Sequence, residues 1–384
     1  MSDTRIPIQH LKPSLRFPKG GWLVRYRDEH GATLRRTLET KEKALDFWGE
    51  HRTDKRRGEF INPSDANTSF AEVAEDWFVT ESHKWKPKTR AGYRQILDKH
   101  LLPELGSYPV GRINRAIVKR LLAKLAERGA KPGTQRNILR VLSPVMQHAI
   151  DANMIRANPA ARIKIAGMGG KQEMPVLTAD QIATLVDEIG PQYGTLVLTA
   201  AYTGIRAGEL AALRVRNVDL LHRKVTVAES VAEVASELHY GPPKNGKVRT
   251  IGIPRFLAEL LAEQVIGKEP GDLVFTGPQG APLRHGTYYG KHFKPTVKRL
   301  VRSGELPREI RFHDLRHTAA AILIRQGVHP KAISDRLGHS SIAITMDLYG
   351  HLYDDQQTDI AKKLEKVYRS VPVAKSADVV AIRR

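Results

Sequence analysis

Stretches in the second half of the chain bring together side chains suited to handling phosphate. Thr203-Gly204-Ile205-Arg206-Ala207-Gly208-Glu209-Leu210 sets an arginine between glycines at a helix start, with Glu209 one turn further on. In His313-Asp314-Leu315-Arg316-His317-Thr318, a helical reading puts His313 and Arg316 on one face at i, i+3 spacing. Leu337-Gly338-His339 and Thr345-Met346-Asp347-Leu348-Tyr349-Gly350-His351 add a histidine and a tyrosine in one C-terminal segment. Two arginines suit a doubly charged, phosphorane-like transition state, because the guanidinium fork grips phosphate oxygens in a bidentate way. Histidines can donate to the remaining oxygens or move a proton without a metal. A tyrosine hydroxyl has an unperturbed pKa of about 10, and clustered cations would favour its phenolate as a nucleophile. The inventory fits transesterification of a phosphodiester.

Each piece alone also has a bland explanation. Arg206 could cap a helix or pair with Glu209, His-x-x-Arg recurs by chance, and Tyr349 could be a half-buried aromatic with its hydroxyl at the surface. His313 and His317, four apart, could chelate zinc on a helix face, but a cation sits between them and no acidic third ligand is evident. No metal site or cofactor is therefore expected. The sharp reading depends on all the pieces occurring in order within one basic chain.

Composition narrows the partner. The chain has 384 residues, enough for two or three domains each with its own core. Its 62 Lys+Arg against 41 Asp+Glu give a formal charge of +21, which favours a polyanion through counterion release. Nucleic acid is the first candidate. There is no apolar run of membrane-spanning length and no N-terminal signal sequence with a continuous hydrophobic core, so a soluble, cytoplasmic protein is expected. The absence of cysteine excludes disulfides, thiolate metal sites and a thiol nucleophile.

The elements that must position these residues fall into segments. Trp22, Val24 and Tyr26 alternate with Leu23, Arg25 and Arg27, and Thr33–Leu38 reads as a second strand. Thr40 can cap a helix to about Arg57, which makes 1–65 a small sheet-plus-helix module ending in a linker at Asn62-Pro63-Ser64-Asp65. From Ser69, a capping box with Glu72 opens an all-helical stretch, 66–170, with breaks at Pro103, Gly106, Gly129 and Pro132. That stretch carries 18 basic and 8 acidic residues, the largest excess of any segment. It is the expected DNA-gripping surface, with Lys88, Arg90, Arg94, Arg136 and Arg140 as candidate contacts beside Arg25 and Arg27 of the first module. After Ala166-Gly167-Met168-Gly169-Gly170, a linker by composition, a mixed domain 171–365 begins. It opens on a helix capped by Thr178 and Gln181. Strands are expected at Lys224–Ala228 and Val248–Ile253 with Asn245-Gly246 as a turn, then mostly helix. A basic tail, 366–384, follows.

Over roughly residues 66–365 the sequence resembles the tyrosine recombinase or phage integrase family. The Thr203–Leu210 run looks like its first arginine box, which implies Arg206 as a catalytic arginine and Glu209 as its supporting acid. His313-Asp314-Leu315-Arg316-His317 resembles the second box, implying His313 as proton-transfer partner and Arg316 as second clamp. Leu337-Gly338-His339 implies His339 as a donor to phosphate, and Thr345–His351 implies Tyr349 as the nucleophile. The family's hairpin lysine corresponds to Lys244, preferred for its place before the Asn-Gly turn, or to Lys247.

The resemblance implies a multidomain, mainly α protein with small sheets: a helical core-binding domain and a mixed catalytic domain clamping double-stranded DNA. It also implies a homotetramer on two sites, a 3′-phosphotyrosyl intermediate, a Holliday junction and no need for ATP or metal. DNA-bending and directionality proteins are possible accessories. The 1–65 module is similar in outline to arm-binding domains of phage and conjugative-element integrases. The tail, with Val371, Val373, Val379, Val380 and Ile382, would dock on a neighbouring protomer if ordered. A catalytically inactive DNA-binding regulator and a type IB topoisomerase are the alternatives.

Overall fold

The computed structural model describes residues 7–14, 16–27, 31–57, 60–165, 174–350 and 357–370. Two compact units divide at Gly170 and Lys171, and both are mainly helical with small sheets. No helix among the described residues is long and apolar enough to cross a membrane.

The first unit begins with an antiparallel sheet, β1 (Ile8–Leu11), β2 (Gly21–Arg27) and β3 (Thr33–Leu38), with β2 in the middle. The alternation along β2 sends Val24 and Tyr26 inward, where Tyr26 meets Phe47 and His51 of the helix Lys41–Arg57 and also Phe60. Arg25 and Arg27 therefore take the opposite, open face, and the register sets Arg25 directly beside Arg35 of β3. The strand β1 carries too short an apolar pattern to announce itself in sequence. Asn62–Asp65 is not a plain linker: the Asn62 side chain accepts from Ser64 N–H, and Pro63, at the first helical position, opens a short helix Pro63–Ala66.

The helical part follows, opened by the Ser69/Glu72 capping box at the start of Phe70–Glu81. Its core joins Phe70, Trp77, Leu97, Leu101, Ile138 and Met146. Pro103 does not break its helix as its chemistry suggests. The helical path from Pro87 runs through a π-turn at Leu97–Leu101, where Leu102 N–H bonds Leu97 O five residues back, and continues to Leu105. The wider turn changes the bonding register just ahead of Pro103, so its missing N–H and bulky ring fall where a new first turn begins. An ion pair between Arg156 and Asp54 ties the helical part to the sheet module.

In the second unit, helices Ala179–Ile189 and Pro191–Thr203 pack with Asp314–Arg325 and with Arg255–Val265 around a core of Leu185, Leu196, Val197, Leu257, Phe293 and Leu315. The antiparallel sheet β4 (Val218–Asp219), β5 (Lys224–Val227) and β8 (Arg249–Gly252) matches the two expected strands, which pair Val225 with Ile251. The Asn245-Gly246 turn does not join them directly. Between β5 and β8 the chain inserts a separate hairpin, β6 (Ser230–Val234) and β7 (Glu237–Gly241), turning at Ala235 and Ser236. Both turn residues have positive φ, +47° and +69°, the geometry that glycine or asparagine normally marks, and so the hairpin left no turn signal. Asn245-Gly246 lies in the connection from β7 to β8. Helices Pro330–Leu337, Ile342–Tyr349 and Gln357–Ser370 follow, so the expected tail boundary at 366 falls inside a helix. Residues 371–384, with the valines and Ile382 named above, and His351 lie outside the described residues.

Candidate active site

The turn at Leu337-Gly338 is where Arg206, Arg316, His339 and Tyr349 meet. Arg206 stands at the start of the short helix Ala207–Leu210, just after the end of Pro191–Thr203. Gly204 makes that junction possible: its φ is +70°, and a Cβ there would lie 2.3 Å from Leu337 Cδ2. From this position Arg206 donates to Glu209 Oε1 at 2.9 Å and to the Gly338 carbonyl at 3.0 Å. Arg316, buried on Asp314–Arg325, donates to the carbonyls of Gly204 and Leu337, both at 2.5 Å. Burial lowers its pKa, with Arg206 second, to about 9, well below the usual guanidinium value. Two cations thus share one small volume, with Glu209 the carboxylate partner of Arg206 and backbone carbonyls their other acceptors, an arrangement that a phosphate would further neutralise.

Glu209 holds the cluster together from beneath. It is 2% exposed and accepts the Arg206 N–H as well as its side chain. Arg249 of β8 grips both its oxygens, at 3.1 and 2.6 Å, and donates from Nε to the Arg336 carbonyl. Burial alone would raise the Glu209 pKa, but the hydrogen bonds and charges of Arg249 and Arg206 hold it below the ordinary carboxylate range. Sequence reasoning passed over Arg249; its one signal is an arginine placed inside an otherwise strand-like run, Val248–Ile253. Gly338 again needs its glycine, with φ +66° and a would-be Cβ 3.1 Å from Arg249 Nη1.

His339 follows that glycine, its Nδ1 2.8 Å from the Thr345 hydroxyl. Burial, then the charges of Arg316 and Arg206, pushes its pKa down to about 4. His313 lies at the start of Asp314–Arg325 with an exposed flank, and desolvation of its inner side, then His317, keeps it below the usual imidazole range. His317 is 7% exposed and its Nδ1 stands 2.6 Å from the Tyr349 hydroxyl. That nitrogen is therefore committed, and no group of three metal-binding side chains forms among the described residues. Tyr349 ends the helix Ile342–Tyr349, 1% exposed, packed with Ala320, Ile324, Ile333 and Leu337. The expectation that neighbouring cations would favour its phenolate is not met in this arrangement. Burial pushes the phenol up to about 12, and Arg316 offsets only part of that.

The three depressed histidines make acid sensitivity predictable. A histidine whose folded pKa lies below its unfolded value of about 6.5 gives stability that is complete above 6.5 and lost as pH falls toward the folded pKa. For His339, partly exposed, the fall from 6.5 to about 4 corresponds to at most on the order of 3 kcal/mol. Thermal melts of the full chain should drop between pH 6.5 and 4, and His339→Gln should flatten that slope. An unchanged slope in the variant would remove His339 as its source.

Lys244 and Lys247 are exposed in the β7–β8 connection, and neither Nζ has a hydrogen bond or ion pair among the described residues. Next to Lys244, Asn245 donates to the same Gly338 carbonyl that Arg206 holds, at 3.2 Å. In the first unit Lys88, Arg90, Arg136 and Arg140 are exposed. Arg94 is already engaged by Asp98 and Glu75 and lies over Phe78, so it faces internal competition for any phosphate.

The phage integrase family model matches residues 175–356, and the phage integrase central domain model matches 70–166. The chain is 26% identical over 348 residues to the ICEBs1 integrase of Bacillus subtilis, spanning 87% of this chain and 90% of that protein. Among solved structures it is similar to a Tn1549 transposon integrase in complex with transposon right end DNA, with a TM-score of 0.68 and 22% identity over 78% of this chain and all of that one. It is also similar to a lambda integrase dimer bound to a core site, with a TM-score of 0.56 and 17% identity over the whole of this chain and 99% of that one. The fold is theirs.

Proposed function

We propose, from the premise that the chain belongs to the phage integrase family of tyrosine recombinases, that it cuts and rejoins double-stranded DNA at specific sites through a 3′-phosphotyrosyl link to Tyr349. The observation that carries this reading is the gathering of Arg206, Arg316, His339 and Tyr349 around one turn, Leu337-Gly338.

In this reading Arg206 and Arg316 hold the non-bridging oxygens of the scissile phosphate, with Glu209 and Arg249 fixing the first of them. His339 donates from Nε2 to the same phosphate while its Nδ1 accepts from Thr345. His313, on the exposed rim, is a proton-transfer partner on the substrate side. Lys244 gives a proton to the leaving 5′ oxygen. Lys244 is preferred for its place before the Asn-Gly turn, with Lys247 the alternative, since Asn245 bonds the carbonyl that also orients Arg206 and accepts the Lys247 N–H. The energy of the broken P–O5′ bond is kept in the new link to Tyr349, so rejoining needs no ATP, and charge and protons come from the side chains without a metal.

The helical segment 66–170 grips the duplex through Lys88, Arg90, Arg136 and Arg140, and the open sheet face with Arg25, Arg27 and Arg35 contacts a second, arm-like site. The lambda integrase has been solved as a tetramer bound to a Holliday junction, and the same assembly is proposed for this chain, integrating or excising a phage or other mobile element in the bacterial cytoplasm. DNA-bending and directionality proteins would set the balance between the two.

The test is to incubate the protein with a pool of nicked, randomised duplexes, denature, and look for DNA that stays attached. Digestion should leave a nucleotide on the peptide containing Tyr349. Binding without any adduct would favour an inactive regulator, and relaxation of any supercoiled plasmid regardless of sequence would favour a topoisomerase.

A further inference from the structure

His317 has no part in the roles above, yet it makes the hydrogen bond to the reacting oxygen. Its Nδ1 and the Tyr349 hydroxyl are 2.6 Å apart, with both residues buried. The phenol oxygen can donate or accept, and the ring tautomer sets which; with the ring proton on Nε2, Nδ1 accepts the phenolic proton. No other hydrogen bond to the Tyr349 hydroxyl exists among the described residues, and at 1% exposure bulk water is shut out. His313 meets the His317 ring edge-on, with centroids 5.2 Å apart, but does not bond to Tyr349.

We propose that His317 takes the proton of Tyr349 as its oxygen attacks the phosphorus and returns it when the strand is rejoined; the inference rests on Tyr349 being the nucleophile. In the forward step the phenolic O–H bond breaks and its proton passes to Nδ1. The oxygen's electron pair forms the new O–P bond, the P–O5′ bond breaks, and the 5′ oxygen takes a proton from Lys244. Rejoining reverses each transfer, with the Tyr349 oxygen leaving phosphorus and recovering its proton from His317.

The electrostatics explain why the transfer waits for DNA. A phenol pushed up to about 12 by burial does not ionise unaided, and desolvation, the largest influence on His317, holds that ring below the usual imidazole range. Arg311 and Arg316 oppose a charge on the ring, while Asp314 favours one. An arriving phosphate brings negative charge onto Arg316 and removes part of the opposition. A proton acceptor in hydrogen-bond contact before the substrate arrives is what general base catalysis requires.

His317→Gln separates proton transfer from hydrogen bonding, because the amide oxygen still accepts a hydrogen bond but takes no proton. In the full chain on nicked duplexes, DNA binding should stay within about twofold while the rate of adduct formation falls roughly 10²–10⁴-fold. Replacing Tyr349 by a difluorotyrosine, whose phenol is more acidic, should recover at least about tenfold in His317→Gln and little in the wild type. A wild-type rate in His317→Gln overturns the proposal, and so does a loss that fluorination leaves untouched, since that marks a purely positioning bond. Should the glutamine variant fail to fold, His317→Ala with imidazole in solution answers the same question: restored adduct supports the role and none overturns it. Adduct formed equally by Tyr349→Phe would instead remove the nucleophile assignment beneath it.

Discussion

Tyr349→Phe is expected to bind DNA as tightly as the wild type and to leave no DNA attached to protein after denaturation. The ring accounts for the packing of this residue against Ala320, Ile324, Ile333 and Leu337, and phenylalanine keeps it. The cations that hold a duplex remain in place, so affinity, dominated by phosphate contacts, has no reason to change. What disappears is the oxygen proposed to bond to phosphorus, and the proposed mechanism has no other residue to supply it. The folded state should also lose about 1 kcal/mol, because His317 Nδ1 is left buried without its hydrogen-bond partner. Filter binding and denaturing gels on the two proteins check both halves. Residual adduct in the variant would move the nucleophile elsewhere.

The second large effect is on stability and comes from Glu209→Ala. This carboxylate accepts from Arg206 N–H, from Arg206 Nη1 and from two nitrogens of Arg249, whose side chain is 9% exposed. Its removal strands a buried guanidinium with no counter-charge, a change that typically costs about 3–5 kcal/mol. Arg206 would lose the contact that orients it, so cleavage should fall as well. Chemical denaturation of the full chain measures the first effect, and a loss under about 1 kcal/mol would mean that Arg249 finds another partner. Glu209→Gln, which keeps acceptor oxygen but no charge, should fall between.

The candidate site residues were legible because they sit in short contiguous runs. Arg206 with Glu209, and His313 with Arg316, are each within one helical turn, where spacing implies proximity. Capping boxes at Ser69 and Thr178 were readable for the same local reason. Contacts across the chain were not. Arg249 reaches Glu209 over 40 residues and His317 reaches Tyr349 over 32, and no periodicity encodes either pairing. The β6–β7 hairpin escaped because its turn, Ala235-Ser236, lacks the residues that usually adopt positive φ. The phenolate expectation failed for a related reason. Counting cations near Tyr349 in sequence says nothing of burial, which outweighs them.

The order of the site along the chain gives it a temporal property. The sheet face with Arg25, Arg27 and Arg35 and the exposed Lys88, Arg90, Arg136 and Arg140 all precede residue 170, whereas Arg206, Arg316 and His339 come later and Tyr349 last of all. Tyr349 also owes its place to partners between Ala320 and Leu337. On the ribosome, therefore, the residues proposed to grip DNA are made long before the residue proposed to cut it. Under the proposed mechanism, a polypeptide interrupted anywhere short of the helix Ile342–Tyr349 lacks the nucleophile.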